Sequence, residues 1–198
     1  MKIVGITGGI ASGKSTVSLY LKDKYKAYIF DADKEAKELL KSTFVTDKIK
    51  QLFPDLKDLS TPSLAKEVFK NSQSQGKINN IIHPIINDLV IERINEKKDL
   101  YNLFVIDAAL IIESGIFDKH QKSGAKLILI MSDEDLRLKR ALSRGNLSKE
   151  TIKDRMRLQM NDDEKIKYSD YVVENNSNKF ELFSKIDEII KTIIWTNF

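Results

Sequence analysis

Cysteine is absent from the 198-residue chain, which excludes disulfide bonds and thiolate metal sites. Histidine is nearly absent as well. With only His83 and His120, a multi-histidine zinc centre is not expected. Long apolar runs are missing: residues 127–131 form one of the longest and are far too short to span a bilayer, so no membrane partner is expected. Neither sign of charge dominates. The 33 basic residues exceed the 29 acidic ones by only four, unlike a protein that coats a nucleic-acid backbone, and no nucleic-acid partner is expected. Repeats, low-complexity tracts and linkers rich in Pro or Gly are also lacking. The length therefore suits one compact α/β unit with small additions. Because Lys2 to Thr7 already reads as a strand, no leader segment is expected, and the expected location is the cytoplasm.

What is present is a series of short apolar runs that alternate with helical patterns. Residues 3–7, 27–30, 103–106, 126–130 and 171–173 read as five strands, most of them ending at a glycine or an aspartate. Near-continuous apolar strands separated by helices predict a doubly wound parallel sheet. Two stretches exceed simple crossovers. Residues 34–100 are expected to form a helical substrate-binding insertion. Within it Ile78, Ile81, Ile82, Ile85, Ile86, Leu89, Val90 and Ile94 make an apolar stripe that Pro84 is expected to start or kink. Residues 133–167 are basic and weakly hydrophobic and suit a mobile helical lid. The core then comprises residues 1–33, 101–132 and 168–198, with residues 179–195 as a closing helix whose Phe180, Phe183, Ile186, Ile190 and Ile194 pack on the sheet.

The most specific motif is Gly8-Gly9-Ile10-Ala11-Ser12-Gly13-Lys14-Ser15-Thr16, which satisfies G-x-x-x-x-G-K-[ST] between a strand and a helix. Glycines allow backbone N–H groups to curl around an anion, and the following helix adds the positive end of its dipole. The loop is expected to bind the phosphates of ATP. Gly8, Ala11, Ser12, Gly13, Lys14, Ser15 and Thr16 would contact them, with Lys14 reaching the terminal phosphates and Ser15 holding Mg²⁺. A GTP switch would need Asp-x-x-Gly, a tetrapeptide that does not occur here. Asn178-Lys179-Phe180-Glu181 resembles a guanine-reading loop only superficially, so adenine is the expected base.

In parallel sheets ligands gather beyond the carboxyl ends of the strands, where Asp31, Asp33 and Asp107 fall. Asp107 is a candidate Mg²⁺ ligand, or alternatively a helix cap. Of Asp31 and Asp33, one suits proton acceptance from an acceptor hydroxyl, while capping of the next helix fits both equally well. Glu113 is a weaker candidate. Between Arg137 and Met160 stand eight Lys/Arg against two acidic residues. Arg137, Arg140 and Arg144 share one helical face, with Arg155 and Gln159 further on. These arginines either neutralise a transferring phosphoryl group or form a solvated basic face. His83 is given a minor part in substrate binding.

Taken together, the phosphate loop, Asp31-Ala32-Asp33, Ile81-Ile82-His83-Pro84, Asp107 through Glu113, Arg140 through Ser148, Arg155 through Met160 and Asp170 through Asn176 resemble the dephospho-coenzyme A kinases over nearly the whole chain. The resemblance implies a phosphate-loop fold with five parallel strands, a helical substrate-binding insertion and a lid. It implies ATP- and Mg²⁺-dependent phosphorylation of the ribose 3′-hydroxyl of dephospho-coenzyme A. Asp33 then corresponds to the general base, and Lys14 and the lid residue Arg140 to charge stabilisers. Arg144 and Asn175 correspond to nucleotide contacts, and Thr7, Asp31, His83 and Arg155 to acceptor contacts. Another small-molecule kinase, acting on a nucleoside or nucleotide, is the alternative. A monomer is favoured. Three departures stand out: Ala109-Leu110-Ile111-Ile112-Glu113 replaces the usual Pro-Leu-Leu-Phe-Glu, Ser177 replaces a glycine, and Ser169 an alanine.

Overall fold

Alternation along the strands decides how the sheet is covered. In β3 (Leu103–Asp107), Leu103 and Val105 face one side and Phe104 and Ile106 the other, and all four are buried. β1 (Lys2–Thr7), β2 (Tyr28–Asp31), β4 (Lys126–Met131) and β5 (Tyr171–Glu174) complete a sheet of order β2-β3-β1-β4-β5. Every neighbouring pair is parallel. The computed structural model describes residues 1–56, 63, 67 and 71–195. All five expected strands lie where the apolar runs placed them, within a residue or so at their ends.

The helices are α1 (Lys14–Tyr25), α2 (Ala32–Leu39), α3 (Thr43–Leu52) and α4 (Ser72–Lys97) before β3. After it come α5 (Asp118–Lys122), α6 (Glu134–Ser143), α7 (Lys149–Arg157), α8 (Asp162–Ile166) and α9 (Lys179–Trp195). On one face Val17 and Leu21 of α1 and Leu182, Ile186, Ile190 and Ile193 of α9 pack against Val4, Ile6, Val105, Ile128 and Ile130. On the other, α3 and α4 bring Val45, Ile49, Ile78, Ile82, Ile86 and Val90 against Phe30, Phe104, Ile106 and Leu127. The long helical stretch before β3 thus belongs to the main core as much as to any appendage. Among the described residues no helix is long and apolar enough to cross a membrane.

Two local expectations are corrected. Pro84 does not start its helix. Asn71 caps α4 by accepting the Ser74 N–H at 2.8 Å, and the helix runs on through Pro84 to Lys97. Proline removes one backbone N–H bond, but Ile78, Ile82, Ile86 and Val90 form a row with a spacing of four whose burial on the sheet holds the helix across that gap. The closing helix keeps Ile186 and Ile190 in its buried row, but Phe180 is 82% exposed. The row begins at Leu182, and Phe180 projects from the solvent side of the first turn.

Ile86 is 1% exposed in the centre of the α4 row. Ile86→Ala should lower the unfolding free energy by about 2–5 kcal/mol, the usual cost of truncating a buried isoleucine, measured by urea denaturation.

Candidate functional site

At the end of β1 the chain turns through residues 8–13 and enters α1. Gly8 and Gly13 adopt positive φ of 146° and 114°, and Ala11 joins them at 59°. A side chain at Gly13 would run into the amide of Asn175, and one at Gly9 into the guanidinium of Arg137. The loop needs glycine for conformation and for close approach. Gly13 heads α1 without a side-chain cap, which leaves the positive end of the helix facing the loop. Ser15 is exposed in the first turn. Lys14 folds back over the loop and donates to the carbonyls of Gly8 at 2.9 Å and Gly9 at 3.5 Å. Burial lowers its pKa. Asp33 and Asp107 oppose that effect, while the positive fields of Lys165 and Arg144 add to it.

The carboxylates collect beside this lysine because β2 and β3 end together: Asp31 and Asp107 are partners in register. Asp31 caps α2, accepting the Lys34 N–H at 2.9 Å. Capping therefore falls to Asp31. Asp33, two residues on in the first turn of α2, accepts a long bond of 3.4 Å from the Ala109 N–H across the cleft. Solvent reaches Asp33, yet the surrounding protein still crowds it. Desolvation raises its pKa, as does Asp31, while Lys14, the Ala109 N–H and Lys37 pull it down. Asp107 is buried and accepts a 2.7 Å bond from the Ser18 hydroxyl. Burial pushes its carboxyl up to about 6 against the opposing pull of Ser18 and Lys14, with Asp33 and Asp31 raising it further.

The lid helices sit directly on the loop. Ala141 and Ile152 form a small buried cluster with Ala11. Gln159 accepts the Ile10 N–H at 3.0 Å, and Arg137 pairs with Asp162 at 3.7 Å. Arg140 donates to Ser132 at 3.0 Å, Ser132 donates to the Asn175 carbonyl, and Arg144 ends α6 exposed. Arg155 lies on α7, where burial lowers its pKa. His83 is half-buried on α4. Burial lowers its pKa and the nearby Glu113 raises it.

Two predicted contact residues are turned inward. Thr7 is fully buried and donates to the Ala109 carbonyl at 3.4 Å, bracing the segment after β3. Asn175 is also buried, and its amide donates to the Ser12 carbonyl at 2.7 Å. It supports the phosphate loop through that bond. Next to it, Asn176 bonds Asp133 at the entrance to the lid. The three sequence departures are accommodated. Ala109 has the N–H that proline would lack, Ile112 packs on the core, and Ser169 donates to the Lys165 carbonyl at 2.8 Å, while Ser177 is exposed.

Sequence reasoning missed two members. Ser18 lies one turn beyond Ser15 on α1, and that spacing was the available signal. Lys165 is fully buried and donates to the Ala109 carbonyl at 3.1 Å, with Glu113 at 3.4 Å. It stands among charged neighbours in sequence, and no local pattern marks it as buried.

A parallel sheet with this loop between β1 and α1, and carboxylates at neighbouring strand ends, defines a phosphate-loop kinase fold. A shikimate kinase from Acinetobacter baumannii shares that fold, with a TM-score of 0.59 over 98% of this chain and 93% of its own at 13% identity. A Thermus thermophilus protein superposes with a TM-score of 0.76 over 99% of this chain and 98% of its own at 26% identity. Residues 2–181 match the dephospho-CoA kinase family, and the chain belongs to that family. A dephospho-CoA kinase of Fusobacterium nucleatum is 36% identical, covering 96% of this chain and 98% of the relative. One from Saccharomyces cerevisiae is 33% identical, covering 98% and 83% respectively.

The elevated pKa of Asp107 has a thermodynamic consequence for the nucleotide-free protein. Its folded value of about 6 lies above the unfolded 3.8, so the native state holds the proton more tightly. The stability this contributes is complete below about pH 4 and is lost as pH rises through about 6. Asp107→Asn removes the dependence. The stability of this variant relative to the parent should rise between pH 4 and pH 7.5 by on the order of 2–3 kcal/mol. Denaturant titrations at the two pH values measure it, and a pH-independent difference would contradict the burial argument.

Proposed function

We propose that this chain transfers the γ-phosphoryl group of ATP to the ribose 3′-hydroxyl of dephospho-coenzyme A, with Asp33 as the general base. The observation that carries the assignment is the division of labour between the two carboxylates. Asp31 is engaged as a helix cap, whereas Asp33 is open to solvent beside Lys14 and, among the described residues, held by one long bond. A base must reach the proton it removes, and Asp33 has the free oxygen for that. Lys14 loses its contacts to Gly8 and Gly9 and turns its charge to the β- and γ-phosphates. Arg144, whose field reaches Lys14, and Arg140 and Arg137 on the same helix stabilise charge from the lid side and exclude water.

The donor set also suits magnesium. Ser15 and Asp107 offer hard oxygens, and the neighbouring Asp31 and Asp33 add negative charge that a dication offsets. Among the described residues no three His, Cys, Asp or Glu side chains are grouped as a metal cage. Mg²⁺ normally completes a sparse protein set with water and phosphate oxygens. When bound it neutralises phosphate charge. Asn175 and Thr7 act indirectly, Asn175 by fixing the loop and Thr7 by fixing the segment that faces Asp33. His83 and Arg155 are assigned to acceptor binding. The chain works in the cytoplasm as a monomer.

Mass detection of coenzyme A from ATP and dephospho-coenzyme A tests the reaction. Asp33→Asn should lower turnover by ~10²–10⁴-fold, the range for general bases, with little change in ATP affinity. Faster phosphorylation of a nucleoside or nucleoside monophosphate would overturn the acceptor assignment, and full turnover in D33N the base assignment.

A further inference from the structure

We propose that Lys165 is a positioning residue for phosphoryl transfer, holding the carboxylate of Asp33 in place through Ala109. The proposal rests on Asp33 being the base. Lys165 is fully buried at the end of the short helix α8, and its ammonium group donates to the Ala109 carbonyl at 3.1 Å. The same residue presents its N–H to Asp33 at 3.4 Å. Ala109 therefore carries a connection from the lid to the carboxylate. Thr7 supplies a second donor to the Ala109 carbonyl, and the Ala108 N–H bonds Ile6 of β1 at 3.1 Å, so the segment is tied on both sides.

Burying an ammonium carries a desolvation penalty that an apolar side chain would avoid. A helix anchored merely for packing would not require one. Glu113 balances the charge at 3.4 Å and also accepts the Met160 N–H at 3.0 Å, at the end of the lid. The link to Asp33 depends on a further particular of this chain. Residue 109 is alanine and carries an N–H, which proline at that position would lack. The connection thus runs from α8 through one carbonyl and one amide to the base, and the lid helps to aim it.

A double-mutant cycle separates this role from a structural one. Lys165→Met in the otherwise unchanged protein should lower kcat about 10- to 100-fold, the scale of misplacing a reacting group by an ångström. KM for ATP should stay within about twofold, since the phosphate loop is not the part disturbed. In the D33N background the same substitution should have almost no further effect, because the group being positioned is already disabled. Product is followed by single-turnover mass detection, and each variant's melting temperature is recorded.

An equal loss in both backgrounds overturns the proposal and leaves the base assignment standing. Full turnover in D33N itself overturns both. Should K165M fail to fold, Ala109→Pro removes the N–H that meets Asp33 and keeps the carbonyl that Lys165 meets, and the melting temperature reports any strain from the fixed backbone. A109P should lower kcat about 3- to 10-fold in the parent, the effect of losing one long hydrogen bond of ordinary strength, and leave D33N unchanged. The same loss in both backgrounds, or none in the parent, overturns the proposal.

Discussion

In a sheet whose five strands all run parallel, every carboxyl end emerges at the same edge, and the backbone direction alone gathers Thr7, Asp31 and Asp107 there. Close behind follow the loop after β1, the cap of α2 and the segment after β3. The cost of this arrangement is electrostatic. Three aspartates converge there, Asp31 and Asp33 exposed and Asp107 buried, and Asp107 responds by holding its proton more tightly. Lys14 answers part of that charge. Its ammonium, itself disfavoured by burial, is sustained by Asp33 and Asp107. Lysine and carboxylates stabilise one another before any ligand arrives.

The phosphate loop is held on two sides by different parts of the chain. Asn175, just beyond edge strand β5, supports it through the Ser12 carbonyl. From above, Gln159 takes the Ile10 N–H, and the lid clusters Ala141 and Ile152 on Ala11. Lid and loop are thus one packed unit in this conformation. Any movement of α6 to α8 is felt by the loop's backbone, and through Lys165 by the segment after β3 as well.

Much of the architecture could be read from the chain because its signals were local and periodic. Five apolar runs gave five strands, and the isoleucines of α4 announced their own buried face. Lys14 and Ser15 were legible because the motif and its mechanism coincide. Asp31 and Asp33 were not separable, since both satisfy the letters of a cap and of a base. Only the Lys34 N–H and the distant Ala109 N–H distinguish them. Asn175 and Thr7 were read as ligand contacts, but burial and long-range bonds turn them inward. Lys165 was invisible for a related reason: its partners are at positions 109 and 113, and its own neighbourhood in sequence reads as solvated surface. Helical periodicity misplaced Phe180 because it fits the spacing of the stripe yet stands on the wrong side of the first turn.

The bond from Ile10 to Gln159 bears on selectivity among ligands. An amide oxygen already occupies the Ile10 N–H, so any incoming acceptor at that donor exchanges partners instead of finding it bare. A neutral oxygen gains almost nothing by that exchange, because one ordinary hydrogen bond replaces another. An anionic oxygen forms a charge-assisted bond roughly twice as strong and also meets Lys14 and the helix dipole. At this one donor the closed loop thereby favours an anionic oxygen over an uncharged one.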